Sequence, residues 1–227
     1  LLTPGRAAIA SLLFALSLLL APLTGGLAAA APEPGVVYTL TNAADSNALA
    51  VFSRAADGTL TATGTYPTGG RGTGAGLGSQ GAIALSNNGR WLFAANAGSD
   101  DVSVFHIQNG RPNLVNRVPS GGSRPISLAL RHRLLYVLNA GGDGSITGFT
   151  VEPHGALAPI AGSARGLGGT ATDPAQVAFS PNGRVLVVTE KAANAIATYT
   201  VGNDGLTTGP MVHPSSGAVP FGFDFGR

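Results

Sequence analysis

The sequence predicts an all-β chain, a β-propeller built from four-stranded antiparallel blades, and three observations carry that prediction. The first is repetition: "GVVYTLTNAADSNALAVFSRAADGTL" (35–60), "SNNGRWLFAANAGSDDVSVFHIQNG" (86–110), "RHRLLYVLNAGGDGSITGFTVEPHGAL" (131–157) and "SPNGRVLVVTEKAANAIATYTVGNDGL" (180–206) follow one script, with a period of roughly 43 to 54 residues. The second is a pair of columns in the third strand of each copy. Phe52, Phe105, Phe149 and Tyr199 stand three residues after Leu49, Val102, Ile146 and Ile196, and an odd offset puts the columns on opposite faces of a pleated strand. The third is the turn chemistry, "NNGR" and "PNGR", whose Asn-Gly pairs supply the positive backbone angles of tight hairpins. Sheets apolar on both faces must be covered on both, which is what twisted blades stacked around an axis achieve. An immunoglobulin-like sandwich, the competing all-β design, gives strands with one wet face and no reason for the columns to recur.

The elements follow in order. Residues 36–66 supply strands two to four of a unit, with "VVYTLT" leading to Asn42, then the strand carrying Phe52, then the turn "DGTL". A first complete unit spans about 80 to 118: "AIALS", the turn "NNGR", "WLFAA" ending at Asn96, the strand of Phe105 and a weaker fourth strand. The next, about 126 to 160, carries "LLYVL" ending at Asn139; the last, about 175 to 212, carries "QVAFS", "PNGR" and "VLVVT" ending at Glu190. "FGFDF" then reads as the first strand of a further unit. About four blades' worth is therefore present. Either the chain is a piece of a larger ring, the reading expected here, or "FGFDF" pairs beside "VVYTLT" and closes a four-bladed one. An open set would leave bare sheet faces at its ends and fold poorly alone.

Composition sets the class. Of 227 residues 44% are hydrophobic and 11% charged, with 34 glycines and 15 prolines, a globular chain rich in turns. Thirteen basic residues, twelve of them arginine, face eleven acidic ones and are scattered along the sequence, so no nucleic-acid footprint is expected. Without cysteine there are no disulfides, thiolate metal sites or cysteine nucleophile. Residues 1–31 have the layout of a secretory signal: Arg6, the apolar run 7–23, then small residues with a cleavage point near Ala29 to Ala31. The run is short for a spanning helix, so a secreted or periplasmic propeller of residues 32–227 with no membrane span is expected.

"SPNGRVLVV", "NAGSDDVSVFHI" and "VGNDGLTTGP" resemble the repeats of the lactonase family of seven-bladed propellers, whose relatives include bacterial 6-phosphogluconolactonase and fungal 3-carboxymuconate cyclase. The likeness runs from Val36 to Arg227 and implies a chain truncated from seven blades. It also implies hydrolysis or isomerisation of a small anionic lactone. Where the family carries histidines on the approach to "FSPNGR" this chain has Asp173 and Gln176, and where it carries an Asp-containing loop this chain has Glu190-Lys191.

Propeller sites form at the mouth of the channel, where the connections between blades meet the loops after each second strand. Each connection carries a group that is or can become cationic: Arg71, Arg124, Arg165 and His213. Together they are expected to form an electropositive funnel, since a guanidinium fork holds carboxylate or phosphate in bidentate fashion; the plainer reading is four solvated loop cations. Glu190 replaces an asparagine of the column Asn42, Asn96, Asn139 and stands beside Lys191, the only lysine. It is either a structural ion pair or a general base. Opening a lactone needs a base for water and a donor for the oxyanion, roles open to Glu190 or His213 and to Arg124 or Arg165, with Arg71, Asn96, Asn139, Asp173 and Gln176 as binding candidates. "GLGSQG" at 76–81 fits a dinucleotide fingerprint but precedes a strand, not a helix. His106, His132, His154 and His213 lack ligand spacing, and no nucleophile elbow is present. The expected ligand is thus a small anion, handled without metal or organic cofactor. The alternatives are a binding propeller with a ligand or protein partner, and a structural surface protein.

Overall fold

The computed structural model describes residues 34–226, all of whose regular structure is β, arranged as four antiparallel sheets within the unit Pro32–Arg227. The leader expected at residues 1–31 lies outside the described residues. The first sheet holds β1 (Gly35–Leu40), β2 (Ala48–Arg54) and β3 (Leu60–Pro67) in that order. The second holds β4 (Ile83–Leu85), β5 (Trp91–Asn96), β6 (Asp101–Gln108) and β7 (Arg111–Pro119). The third holds β8 (Pro125–Arg131), β9 (Leu134–Asn139), β10 (Ser145–Val151), β11 (Leu157–Pro159) and β12 (Arg165–Gly166). The fourth holds β13 (Pro174–Phe179), β14 (Val185–Glu190), β15 (Ala195–Val201) and β16 (Thr207–Pro214). Every neighbouring pair is a simple antiparallel step, so each complete sheet is a four-strand meander, as the repeat predicts.

Strand alternation builds the core. Along β9, Leu135 and Val137 enter a cluster with Phe93, Val102, Val104 and Phe149 of the second and third sheets. Tyr136 and Leu138 enter the opposite cluster with Val177, Leu186, Val188 and Tyr199 of the fourth. A third cluster, Leu49, Leu92, Ala94 and Phe105 with Tyr38 and Tyr66 against it, joins the first and second sheets. Three cores therefore separate four sheets, and in the two middle sheets both faces are buried. The predicted columns fall on opposite faces there: Phe105 faces the first sheet and Val102 the third, while Phe149 faces the second and Ile146 the fourth. At the two ends the outward members, Phe52 and Ile196, are half-buried, because no further sheet covers them.

Irregularities recur by position, and so belong to the repeat. The third and fourth strands slip register at Val51/Phe52, Val104/Phe105 and Thr198/Thr200, equivalent places in three sheets; such bulges raise local twist. The third sheet differs from the four-strand expectation because its outer strand is broken in two. β11 pairs one half of β10 and β12 the other, and Ser163 fills the break, its Oγ accepting from Gly148 N at 3.0 Å.

Two expectations are corrected. "FGFDF" (221–225) forms no strand and does not pair with β1, whose only sheet neighbour is β2. Instead Gln176 of β13 clamps it, donating from Nε2 to Phe223 O and accepting from Phe223 N, each at 3.0 Å. The column also begins at Thr41, not Asn42: Thr41 pairs with Ala48 as Asn96, Asn139 and Glu190 pair with Asp101, Ser145 and Ala195. Asn42, one residue on, adopts a left-handed φ of 50° and holds the next connection, accepting from Thr73 N at 3.0 Å.

Candidate functional site

Asn96, Asn139 and Glu190 occupy the same place in three consecutive sheets, the last position of the second strand, and all three are fully buried. Each lies under a glycine of the connection that enters its sheet, Gly70, Gly122 and Gly168 respectively; a side chain at the first two would run into the asparagine, and one at Gly168 into Val212 with Glu190 close by. Asn96 Nδ2 donates to Asp101 Oδ1 at 2.6 Å and to Ser103 Oγ at 2.7 Å, while its Oδ1 accepts from Asn47 Nδ2 at 2.9 Å. Ser103 passes the chain on to Thr68 O at 2.8 Å. One sheet later Asn139 Nδ2 donates to Thr147 Oγ1, which donates to Ser120 O. Thr68 and Ser120 stand just before the two glycines, so the amide column ties each connection down to the sheet it enters.

The fourth sheet makes that tie with other groups. Ala197 stands where Ser103 and Thr147 supply hydroxyls. Here Glu190 Oε1 accepts from Gly168 N at 2.9 Å and Tyr199 OH donates to Gly166 O at 2.8 Å. Burial first, and the Glu190 carboxylate second, push the Tyr199 phenol above its usual range. Glu190 Oε2 is buried without a hydrogen-bond partner among the described residues.

The other candidates separate. Arg165 is a brace between the third and fourth sheets: Nε donates to Thr207 O at 2.9 Å, and Nη1 to Gly162 O and Ala164 O at 2.7 Å. His213 lies on β16 opposite Ile196, on the outward face of the fourth sheet, with Nε2 3.2 Å from Thr198 Oγ1. Glu190 shares the inward face with Val188, so the structure does not bring His213 to it. Lys191 does not pair with Glu190. Its Nζ reaches Gly78 O at 2.5 Å, Asp173 Oδ2 at 3.4 Å and the Phe221 ring at 5.2 Å, gathering three chain segments with Asp173 as its ion-pair partner. Gln176 is occupied with Phe223. The "GLGSQG" segment runs across the inner strands, with Ser79 Oγ donating to Ile126 O and Gln80 N to Ala175 O, so it is a brace of the fold.

What the structure does gather is a pair of arginines about one loop. Arg71 N donates to Ser99 Oγ at 2.8 Å and its carbonyl accepts from Gly98 N, while Arg124 N donates to Asp100 Oδ1 at 2.6 Å. The loop 97–100 of the second sheet is thus gripped by the connections on either side, and both guanidiniums are exposed, with no side-chain hydrogen bond among the described residues. Asp100 also accepts from Ser123 Oγ at 3.3 Å through the same oxygen. Beside it lies an open cavity of about 500 Å³, lined by Ser99, Asp100, Asp101, Arg117 and Gly122, with Arg117 Nη1 3.0 Å from Asp101 Oδ2. The sequence reading missed Asp100. Its signal is the acidic pair in "GSDDVS", whose members divide, Asp101 into the strand and Asp100 into the loop.

The loop's geometry is fragile at one point. A Cβ on Gly98 would collide with the backbone carbonyl of Gly72, which cannot rotate away. Gly98→Ala is expected to cost about 1–3 kcal/mol by overpacking and to detach the loop from Arg71, read as a lower unfolding midpoint in urea and faster amide exchange at Gly98 and Ser99. Unchanged protection there would show that the loop is held by other contacts.

A family model described as "Lactonase, 7-bladed beta-propeller" matches residues 31–165, more than half of the chain. The fourth sheet, with Asp173, Gln176 and Glu190, lies beyond that span. Among curated proteins none matches. Among solved structures the chain is similar to a proposed 6-phosphogluconolactonase from Bacteroides uniformis, with TM-score 0.61, 19% identity, and coverage of 79% of this chain and 53% of that one. A second proposed 6-phosphogluconolactonase, from Bacteroides fragilis, gives 0.58, 16%, 80% and 55%. A protein of unknown function from Desulfotomaculum acetoxidans gives 0.59, 19%, 77% and 52%. The chain spans about half the length of these structures, and at such identities the likeness establishes the fold.

Proposed function

Because the chain belongs to the lactonase family of seven-bladed β-propellers, we propose that it is an exported protein that binds and opens a small anionic lactone at the loop end of its sheets, between Arg71 and Arg124. The observation that carries this reading is the grip of both connections on the loop 97–100, through the backbone N–H of Arg71 on Ser99 and of Arg124 on Asp100, which brings two exposed cationic residues to one loop that carries a carboxylate. A phosphorylated or carboxylated aldonolactone suits that arrangement, one guanidinium holding the anion and the other facing the ring carbonyl. In the reaction Asp100 takes a proton from water, the water oxygen adds to the carbonyl carbon, and the guanidinium carries the oxyanion. The ring C–O bond then breaks, and the proton passes to the leaving alkoxide. No metal or organic cofactor enters these steps. The leader-like segment at residues 1–31 supports export to the periplasm or medium, which fractionation of expressing cells tests.

A second reading, a propeller that binds a ligand or protein partner without turnover, is favoured by the enclosure of Asn96, Asn139 and Glu190, which leaves the column no access to a substrate. The two readings part in one experiment. The full-length protein is assayed on phosphorylated and unphosphorylated aldonolactones and on a carboxylated muconolactone, against spontaneous hydrolysis. Of Arg71→Ala and Arg124→Ala, the one that removes the anion's guanidinium is expected to raise KM about 10- to 100-fold, the worth of a charged hydrogen bond, and the one that removes the oxyanion's donor to lower kcat about 100- to 1,000-fold. Asp100→Asn is expected to lower kcat at least about 100-fold, and Glu190→Gln to leave both constants near their starting values. Turnover that survives Asp100→Asn removes Asp100 from the mechanism, and no turnover on any lactone selects the binding propeller.

A further inference from the structure

We propose that the hairpin end of the sheets, opposite the loop cluster, is a docking face for an anionic lipid surface. The inference is independent of the lactone reading. The turns joining first to second and third to fourth strands all lie at this end, because every sheet is an antiparallel meander. Inter-sheet bonds confirm that the ends coincide: Tyr38 OH donates to Gly110 O, Arg131 Nη1 to Pro181 O and Tyr136 OH to Gly205 O.

Arginines scattered in the sequence are collected here by the fold. Arg54, Arg90, Arg111, Arg131, Arg133 and Arg184 all sit in or beside these turns. Among the described residues of these turns the acidic ones are Asp57, Glu152 and Asp204, and Glu152 is already paired with Arg133 at 3.0 Å. At the loop end, by contrast, Arg71, Arg117, Arg124 and Lys191 meet six acidic residues among the described ones, so the positive excess belongs to the hairpin end and not to the funnel expected at the mouth.

The placement is built, not incidental. Arg90, Arg133 and Arg184 hold one structural position in three consecutive sheets, each carbonyl accepting a backbone N–H from the far end of the third strand, at Ile107, Val151 and Val201. Around Arg90 and Arg184 identical side-chain bonds fix the turn: Ser86 and Ser180 donate to Asn88 and Asn182 at 2.8 Å, and those amide oxygens accept from the arginine N–H groups at 3.1 and 3.0 Å. In the first sheet the Arg54 guanidinium lies beside Gly35, the equivalent position. A row of cations therefore runs across all four sheets.

A small anion engages one or two such groups, whereas a plane of headgroups engages the row. Exposed apolar side chains lie among the arginines at the same end: Val36 at 43%, Leu60 at 50% and Leu85 at 46% exposure. Arginine mixed with exposed aliphatics is the chemistry of a lipid interface, in which cations meet phosphates and apolar groups enter the acyl boundary.

The test uses the full-length protein with vesicles of phosphatidylcholine and of equal parts phosphatidylcholine and phosphatidylglycerol, read by co-sedimentation. Binding to the anionic vesicles alone is expected, weakening as salt rises. Arg90→Ala with Arg184→Ala is expected to weaken it roughly 25-fold, about fivefold per arginine. Neither side chain makes a hydrogen bond or ion pair among the described residues, so folding is preserved. Leu60→Ser with Leu85→Ser is expected to weaken vesicle binding without changing retention on heparin, whereas Arg71→Ala with Arg124→Ala leaves vesicle binding unchanged. Vesicle binding indifferent to Arg90 and Arg184 overturns the proposal. So does retention on heparin that depends on those arginines with no vesicle binding, which assigns the face to a soluble polyanion.

Discussion

Replacing Asn96 by aspartate is expected to remove about 3–5 kcal/mol of stability at neutral pH, the cost of an uncompensated buried charge. The side chain is fully buried, and its Nδ2 donates to the Asp101 carboxylate at 2.6 Å. Asn96→Asp exchanges that donor for a second carboxylate oxygen facing the first. Two carboxylates at such a distance share a proton, so burial and the like charge both raise the introduced group's folded-state pKa above its unfolded value of about 3.9. The sign follows. Below the unfolded value both states are protonated and the charge penalty is absent; it appears as pH rises through the folded value. Urea midpoints at about pH 4 and about pH 8 measure it, with Asn139→Asp as the control. There the facing group is the Thr147 hydroxyl and Ser145 stands in place of Asp101, so the loss is smaller and less dependent on pH. Equal losses at both pH values for Asn96→Asp would show that Asp101 is not the opposing charge.

The same comparison explains why the column accepts a carboxylate only once. In the fourth sheet the counterparts of Asp101 and Ser103 are Ala195 and Ala197, so no acid and no hydroxyl faces Glu190. The longer side chain instead reaches the Gly168 N–H of the entering connection. The substitution is coupled to Ala195 and Ala197 on the next strand and, through the Gly168 N–H, to the entering connection. From the sequence alone Glu190 stood out as a chemical oddity; its environment makes it a local rewiring of a structural tie.

That contrast marks what can be read from sequence in this protein. The repeat, the double-faced strands and the order within each sheet are legible because a pleat has period two and the turns carry Asn-Gly, signals contained within a few residues. The site is less legible because it depends on which loops meet. Arg71, Arg124 and Arg165 look equivalent, each a lone cation in a Gly-rich connection, yet the first two are held at the loop end by Ser99 and Asp100. Arg165 is held instead by carbonyls, Gly162 O and Ala164 O at the break in the third sheet's outer strand and Thr207 O of the fourth sheet. Charge distribution was illegible for a similar reason. Arginines spaced along 130 residues, from Arg54 to Arg184, come to one end only once hairpins are stacked.

Phe93→Ala is expected to cost about 3–5 kcal/mol, the range for emptying a fully buried aromatic site. Phe93 is at 0% exposure on β5 and fills the core between the second and third sheets with Val104, Leu135 and Phe149. Large rigid groups line the cavity from two sheets, so collapse around it is limited and the upper half of the range is expected. Phe52→Ala is the matched control: Phe52 belongs to the same repeat but lies on the outward, half-covered face of the first sheet, and its loss is expected to cost under half as much. The pair also tests how the sheets cooperate. The sheets pack face to face on their neighbours, so stability is to first order a sum of sheet terms and interface terms, with the 76–81 segment as an added tie to the third and fourth sheets. Weakening the middle interface uncouples the first two sheets from the last two, which appears as a shallower urea transition and a separation of the fluorescence and circular dichroism midpoints. Phe52→Ala leaves every interface intact and shifts the midpoint without changing the slope. Coincident, equally steep transitions for both variants would mean that the four sheets fold as a single unit whose cohesion does not pass through their shared faces.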